Sequence, residues 1–240
     1  AAAIQYIAES GAQEERGLIR HEVIERLLSS NGNDAIAIHA QVLNALGSLQ
    51  EPSFCHFLLE HKDDNQPLVV KEVIRSAGRI RDRQFITWLV GKLASTQYRA
   101  EARHALTSFN PNILGTLYDN LTDETVDLSI RLNIPKVFTA IPSQDSVNVL
   151  MRSREQLDPL LSYQVMKSLN KLRGHDVSLQ FEQQQVDLWL IEETRSYYEN
   201  LHILHLYRDL HEGSATDLFK KALQEKMKQQ IELMFRLLGL

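Results

Sequence analysis

The sequence predicts an all-α fold, and three observations carry that prediction. Glycine and proline are scarce, 10 and 6 among 240 residues, so a chain of many strands would lack its turns. Val, Ile and the aromatic residues never gather into the alternating runs that mark half-buried strands. Five segments of helical periodicity also superimpose without gaps: "QVLNALGSL", "EVIRSAGRI", "EARHALTSF", "NIPKVFTAI" and "QVMKSLNKL". They end at Leu49, Ile80, Phe109, Ile141 and Leu172, which are steps of 31, 29, 32 and 31 residues.

Each of these segments predicts one amphipathic helix. Apolar residues recur at three- and four-residue intervals, as in Val42, Ala45, Leu46 and Leu49, or Val73, Ile74, Ala77 and Ile80, which places them on one face. A second amphipathic run follows each: "PSFCHFLLEHK", "DRQFITWLVGKL", "PNILGTLYDNL", "SQDSVNVLMRS" and "DVSLQFEQQQVDLWL". The unit is helix, tight turn, helix. Pro52 and Pro111 fall at the start of second helices, where the missing N–H costs nothing, and Pro142 belongs to the same turn. Pro135 lies inside a first helix and is expected to bend it or leave one carbonyl unpaired. One such pair cannot bury its apolar stripe alone, so neighbouring pairs must stack around a continuous core.

After Leu172 the period is lost. Residues 176–211 contain neither Gly nor Pro, and "LWLIEETRSYYENLHILHLYRDL" is rich in apolar and aromatic residues, so one long helix, or two joined by a slight break, is expected up to Gly213. Ser214, with Asp217 three residues on, predicts the cap of a last helix. Its stripe of Phe219, Leu223, Met227, Ile231, Met234 and Leu238 is expected to pack back on the helix before it. The expected organisation is a partial repeat over 1–33, repeats over 34–190 and C-terminal helices over 191–240, all in one continuous domain.

The helix pairs resemble HEAT repeats. In "QPLVVKEVIRSAGRIRDRQFITWLVGKL", Pro67 opens the first helix, Ala77 and Gly78 stand near its end, Asp82 sits in the turn, and Phe85, Ile86, Leu89 and Leu93 face the core. Where HEAT units often carry Arg, this chain has His39, Val70, Arg99, Arg131 and Ser162, so a continuous Arg ladder is broken. The resemblance implies a right-handed α-α superhelix. "IPKVFTAIPSQDSVNVL", "YQVMKSLNKLR" and "MFRLLGL" further resemble the HEAT segment of large bacterial proteins, which join it to a nucleotide-transporter-like or facilitator-like membrane domain and sometimes to a cyclic-nucleotide-binding domain. The absence of an initiator Met or signal pattern at "AAAIQYIAES", and the apolar close "IELMFRLLGL", read as the cut ends of a fragment.

Composition narrows the partners. A net charge of -5 gives no global attraction to nucleic acid or to an anionic membrane, and no run approaches the ~20 apolar residues of a membrane span. The single cysteine, Cys55, is expected to be a buried inert thiol of a reducing compartment, the cytoplasm. Chemistry-bearing motifs are sparse. Glu101 with His104 and Glu199 with His202 have the Glu-x-x-His spacing of di-iron bundles but no reason to meet. His202, His205 and Asp209 share one helix face and read as a polar edge lacking a fourth metal ligand. No phosphate loop, nucleophile elbow or H-E-x-x-H occurs. The expectation is therefore no catalytic, cofactor-binding or metal residue and no cofactor: a non-catalytic protein-interaction scaffold and cytoplasmic connector rather than an enzyme. The alternative is a HEAT-like enzyme resembling bilin lyases or DNA glycosylases.

With Phe85, Ile86, Leu89 and Val90 inward, Gln84, Thr87, Trp88 and Gly91 turn outward. The repeat step carries this to Ser53, His56, Phe57 and Glu60, and to Asp145, Asn148, Val149 and Arg152. The HEAT resemblance implies that second helices line the concave side, so a protein or peptide partner, such as another domain of the parent chain, is expected to meet His56, Phe57, Gln84, Thr87, Trp88, Asn148 and Arg152 along one groove there, with Phe57 and Trp88 as adjacent aromatic anchors.

Overall fold

A computed structural model describes residues 13–30, 34–109, 112–207 and 214–240. Among them every regular element is a helix. The helix start expected at Pro111, the stop at Gly213, the cap at Ser214 and the polar edge's Asp209 lie outside the described residues or side chains. The chain forms two compact units, the first of residues 1–117 and 125–140, the second of 118–124 and 141–240.

The first unit opens with α1 (Gln13–Leu28), whose Ile24 and Leu28 are buried where it meets α2 (Ala35–Leu49). Then α3 (Cys55–His61) follows a 3-10 turn at Pro52–Phe54, and α4 (Pro67–Ile80) starts with its proline in the first turn. A second 3-10 turn, Arg83–Phe85, leads into α5 (Ile86–Lys92), one repeat step after the first. Asp82 secures it, accepting the Gln84 backbone N–H at 3.0 Å. α6 (Arg99–Thr107) follows. The first helices stack as α2 on α4, α4 on α6 and α6 on α9 (Ile134–Phe138), while α3 packs on α4 and α5 on α6.

The repeat register is visible in burial. Leu46, Ala77, Leu106, Phe138 and Leu169 occupy one repeat position and are all 0% exposed. Val42, Val73, Ala102, Ile134 and Val165 occupy a second repeat position, and each is buried. Each large side chain so enclosed contributes about 1.5–3 kcal/mol relative to exposure. At the ends of these helices Phe109, Ile141 and Leu172 are buried as expected, but Leu49 and Ile80 are half-buried. Both lie immediately before a residue that leaves the helix in the left-handed conformation, Gln50 at φ 55° and Arg81 at φ 60°, so the chain turns away before their side chains are fully covered.

Pro135 breaks its helix instead of bending it. α8 (Leu128–Arg131), capped by Asp127 through the Ser129 N–H at 2.7 Å, stops short, and α9 restarts with Pro135 in its first turn. There the absent N–H lies among groups with no intrahelical partner, so the break is less costly than a kink.

α7 (Leu114–Thr122) runs from the first unit into the second. The second unit continues with α10 (Gln144–Ser153), capped by Ser143, and α11 (Pro159–His175), whose Asp158 accepts the N–H groups of Leu160 and Leu161 at 2.9 and 3.0 Å. Two long helices complete it, α12 (Gln183–Leu206) and α13 (Ser214–Leu238). The expected helix from Asp176 begins later because Asp176 folds a turn, accepting both the N–H and the hydroxyl of Ser178 at 2.9 and 2.6 Å. The expected boundary at 190/191 lies within α12. α13 packs on α12 and α11. Of the expected stripe Leu223 and Met227 are buried and Met234 is half-buried, but Ile231 and Leu238 are 38% and 67% exposed and Phe219 is 44%, and burial passes instead to Gln230, Leu233 and Leu237. A four-residue step drifts by about 40° per repeat, so a stripe spaced by fours winds off a face that must stay turned to its neighbours.

Candidate interaction surface

α5 and the loop before it bring the expected residues of the first unit partly together. Gln84 and Thr87 are exposed, and Trp88 is half-buried. The indole N–H of Trp88 donates to Asp63 Oδ1 at 3.1 Å, and Lys92 Nζ donates to the same oxygen at 2.9 Å. Lys92 also lies 5.2 Å from the Trp88 ring centroid and 5.6 Å from that of Tyr98. The hydrogen bonds from Lys92 and Trp88 hold the Asp63 carboxyl below the usual range. Trp88 is therefore tied across the repeat seam and fixed in place, with Gln84 and Thr87 beside it.

Phe57 corrects the expectation of two aligned outward rings: it is 2% exposed. It stands three residues from Phe54 and next to Leu58, as Trp88 stands to Phe85 and Leu89, so this position forms the edge of the buried stripe. At Phe57 the edge is sealed by α1: the His21 ring lies 4.8 Å from Phe57 and stacks on His56 at 4.6 Å. His56, half-buried, donates from Nδ1 to the Ser53 carbonyl at 2.8 Å, and its Nε2 is buried without a hydrogen bond. At Trp88 the larger ring and its N–H reach the seam and remain partly in solvent.

Asn148 and Arg152 are exposed on α10 in the second unit. Asn148 accepts from Gln144 at 2.9 Å, and the Arg152 guanidinium lies 4.2 Å from the Tyr118 ring centroid. Gln144 in turn clamps the backbone of Gln180, donating to its carbonyl at 2.8 Å and accepting its N–H at 2.9 Å. Of the seven expected residues, His56, Gln84, Thr87 and Trp88 thus reach the surface of the first unit and Asn148 and Arg152 that of the second, while Phe57 does not.

Cys55 is 4% exposed, and its thiol is pushed up to about 11, first by burial and then by the neighbouring Asp82 carboxylate, as an inert thiol requires. Glu101 is engaged by Lys71 at 3.5 Å and Arg75 at 3.6 Å. His202 and His205 are exposed on α12. Among the described residues no three His, Cys, Asp or Glu side chains gather to hold a metal, and no helix is long and apolar enough to cross a membrane.

Two features are absent from the expectations. One is Asp63, whose bond to Trp88 spans 25 residues and leaves no local signal. The other is a buried charge cluster in the second unit. Arg154, its side chain 8% exposed, donates to Glu193 at 3.0 Å and lies 4.6 Å from the Trp189 ring centroid. Burial holds the Glu193 carboxyl above its ordinary value, and Arg154 opposes that shift.

Stacked helix pairs of this register define an all-α, HEAT-like helical-repeat protein. No family model matches the chain, and no curated protein matches it. Among solved structures it is similar to human deoxyhypusine hydroxylase in complex with glycerol, at 14% identity over 97% of this chain and 96% of that one, with a TM-score of 0.29. The matched protein bears an enzyme's name, and that finding stands against two expectations, that this chain is a non-catalytic scaffold and connector and that it is not an enzyme. At this level the likeness concerns the fold alone and transfers no residue role.

Proposed function

We propose that this chain is a HEAT-like repeat protein that recognises a protein or peptide segment on the second-helix surface of its first unit, with Trp88 as the anchor. The observation that carries the reading is the Asp63 bridge. A half-exposed tryptophan already immobilised by a hydrogen bond and a cation loses little further freedom when a partner packs on it, and tryptophan is enriched where interfaces concentrate their energy. Gln84 and Thr87 supply polar contacts beside it, while Phe57 serves the core. Recognition of this kind precedes chemistry on a bound segment as readily as simple association, so the reading holds whether the segment is a substrate or a binding partner. The cytoplasm suits the buried, uncharged thiol of Cys55.

The test is selection of peptides from a random display library on the whole chain, followed by affinity measurements with Trp88→Ala and Thr87→Arg. Selected peptides are expected to lose at least about tenfold in affinity to both variants, with helicity unchanged. Peptides that bind both variants as tightly as the unaltered chain would overturn the assignment of this surface.

A further inference from the structure

On α13 the residues Lys221, Gln224, Lys228, Ile231, Phe235 and Leu238 are all exposed. Their spacings are three, four, three, four and three residues, the seam register of a coiled coil. Phe235 and Leu238 are 71% and 67% exposed, Ile231 38%, while a separate face of the same helix, with Leu223, Met227, Leu233 and Leu237, is buried, and the helix packs against α12 and α11. The helix thus carries a second stripe in addition to the one the fold uses. Its chemistry is divided, with two lysines and a glutamine in the first half and three large apolar residues in the last turns.

We propose that this stripe docks an amphipathic helix of a partner protein, apolar where it meets Ile231, Phe235 and Leu238 and acidic where it meets Lys221 and Lys228. The charge pattern selects this occupant over a second copy. Lys228 already meets Glu225 at 2.9 Å on its own helix, but Lys221 in a parallel pair of copies would face Lys221, and in an antiparallel pair it would be pressed against Leu238; both arrangements desolvate its ammonium against like charge or apolar carbon. An acidic helix meets the lysines with opposite charge and covers the rings, and polar residues at seam positions fix register and partner in this way. A lipid surface fits less well, because the apolar part spans only about 10 Å of the helix at 1.5 Å per residue, too little to lay the whole stripe into a bilayer interface. The proposal concerns a different unit and face from the Trp88 surface and stands independently of it.

The experiment displays a library of 20-residue helices, with apolar seam positions and randomised flanking positions, against the whole chain. Affinities are then remeasured for Phe235→Ser and for Lys221→Glu/Lys228→Glu, with folding checked by circular dichroism. Enrichment of Asp and Glu in selected helices is expected, with at least about tenfold weaker binding to each variant and no change for Trp88→Ala. Selection without charge preference, or binding indifferent to both α13 variants, would overturn the proposal. So would concentration-dependent dimerisation abolished by Phe235→Ser, which would assign the stripe to a second copy. Binding to phosphatidylserine vesicles lost in the same variants, in place of peptide binding, would assign it to a membrane.

Discussion

Gly78 on α4 lies directly against Ala105 on α6: a Cβ built on the glycine would stand 2.7 Å from the alanine Cα. One repeat earlier Gly47 on α2 meets Ser76 on α4 the same way, also at 2.7 Å from the Cα. There the Ser76 hydroxyl donates to the Leu43 carbonyl at 2.8 Å. The close approach of the first helices thus recurs at one repeat position, glycine against the Ala105 backbone in one joint and against the Ser76 side chain and Cα in the other. Gly→Ala inside a helix ordinarily stabilises by about 0.5–1 kcal/mol, but here the obstacle is main chain and cannot swing aside. Gly78→Ala is expected to destabilise by about 1–3 kcal/mol, whereas Gly91→Ala on α5, with nothing within 4 Å, should stabilise by about 0.5–1 kcal/mol. Urea denaturation of the two variants checks the opposite signs.

Leu169 shares the fully buried column of Leu46 and Leu106. Leu169→Ala is expected to cost about 2–5 kcal/mol. A loss under about 0.5 kcal/mol, the size of a surface change, would show that the column is not a core position in solution.

Cys55 gives a pH signature. Folding favours its neutral thiol, so the stability it contributes is fully present below its ordinary value of 9.0 and is lost as the pH rises to about 11, the unfolded chain releasing its proton first. Denaturation midpoints at pH 8 and pH 10.5 should show a fall that is smaller in Cys55→Ala. Alkylation at pH 8 should be slow in the folded chain and fast in denaturant.

The Arg154–Glu193 pair predicts a coupling. Glu193→Leu alone strands a guanidinium that is 8% exposed, with Glu192 at 3.9 Å as its remaining carboxylate, and should cost about 2–4 kcal/mol. Arg154→Met with Glu193→Leu should fall within about 1 kcal/mol of the original chain, since the paired charges offset one another's desolvation but gain little beyond that. A double-mutant cycle measures the difference; additive losses would contradict it.

Much of the fold was legible because its repeat is written in core residues. Val42, Leu46 and their successors at 73 and 77, 102 and 106 are buried as their spacing required, since a 3.6-residue period and a constant step leave one register. The second helices were read less well. Trp88 and Phe57 occupy one repeat position, yet one is half-buried and the other 2% exposed, because what covers them comes from elsewhere in the chain: His21 on α1 over Phe57, Asp63 and Lys92 at Trp88. Local periodicity holds no information about such distant covers. The α13 stripe was misread for a related reason, as Ile231 and Leu238 fit a helical pattern that has two apolar faces, and only the neighbouring helices decide which is enclosed.

The stacking of α2, α4, α6 and α9 has a practical corollary. In the first unit these four helices form a spine whose first two joints are close glycine contacts, while α3 and α5 are laid on that spine like roof tiles, each on the first helix that follows it. A tile can be exchanged without disturbing the spine if its buried side, Phe54, Cys55, Phe57 and Leu58 in one case and Phe85, Ile86, Leu89 and Val90 in the other, is kept. The second-helix surface of this unit is therefore free to be rewritten by grafting, one short helix at a time, while α2 and α4 admit almost no change at Gly47 and Gly78.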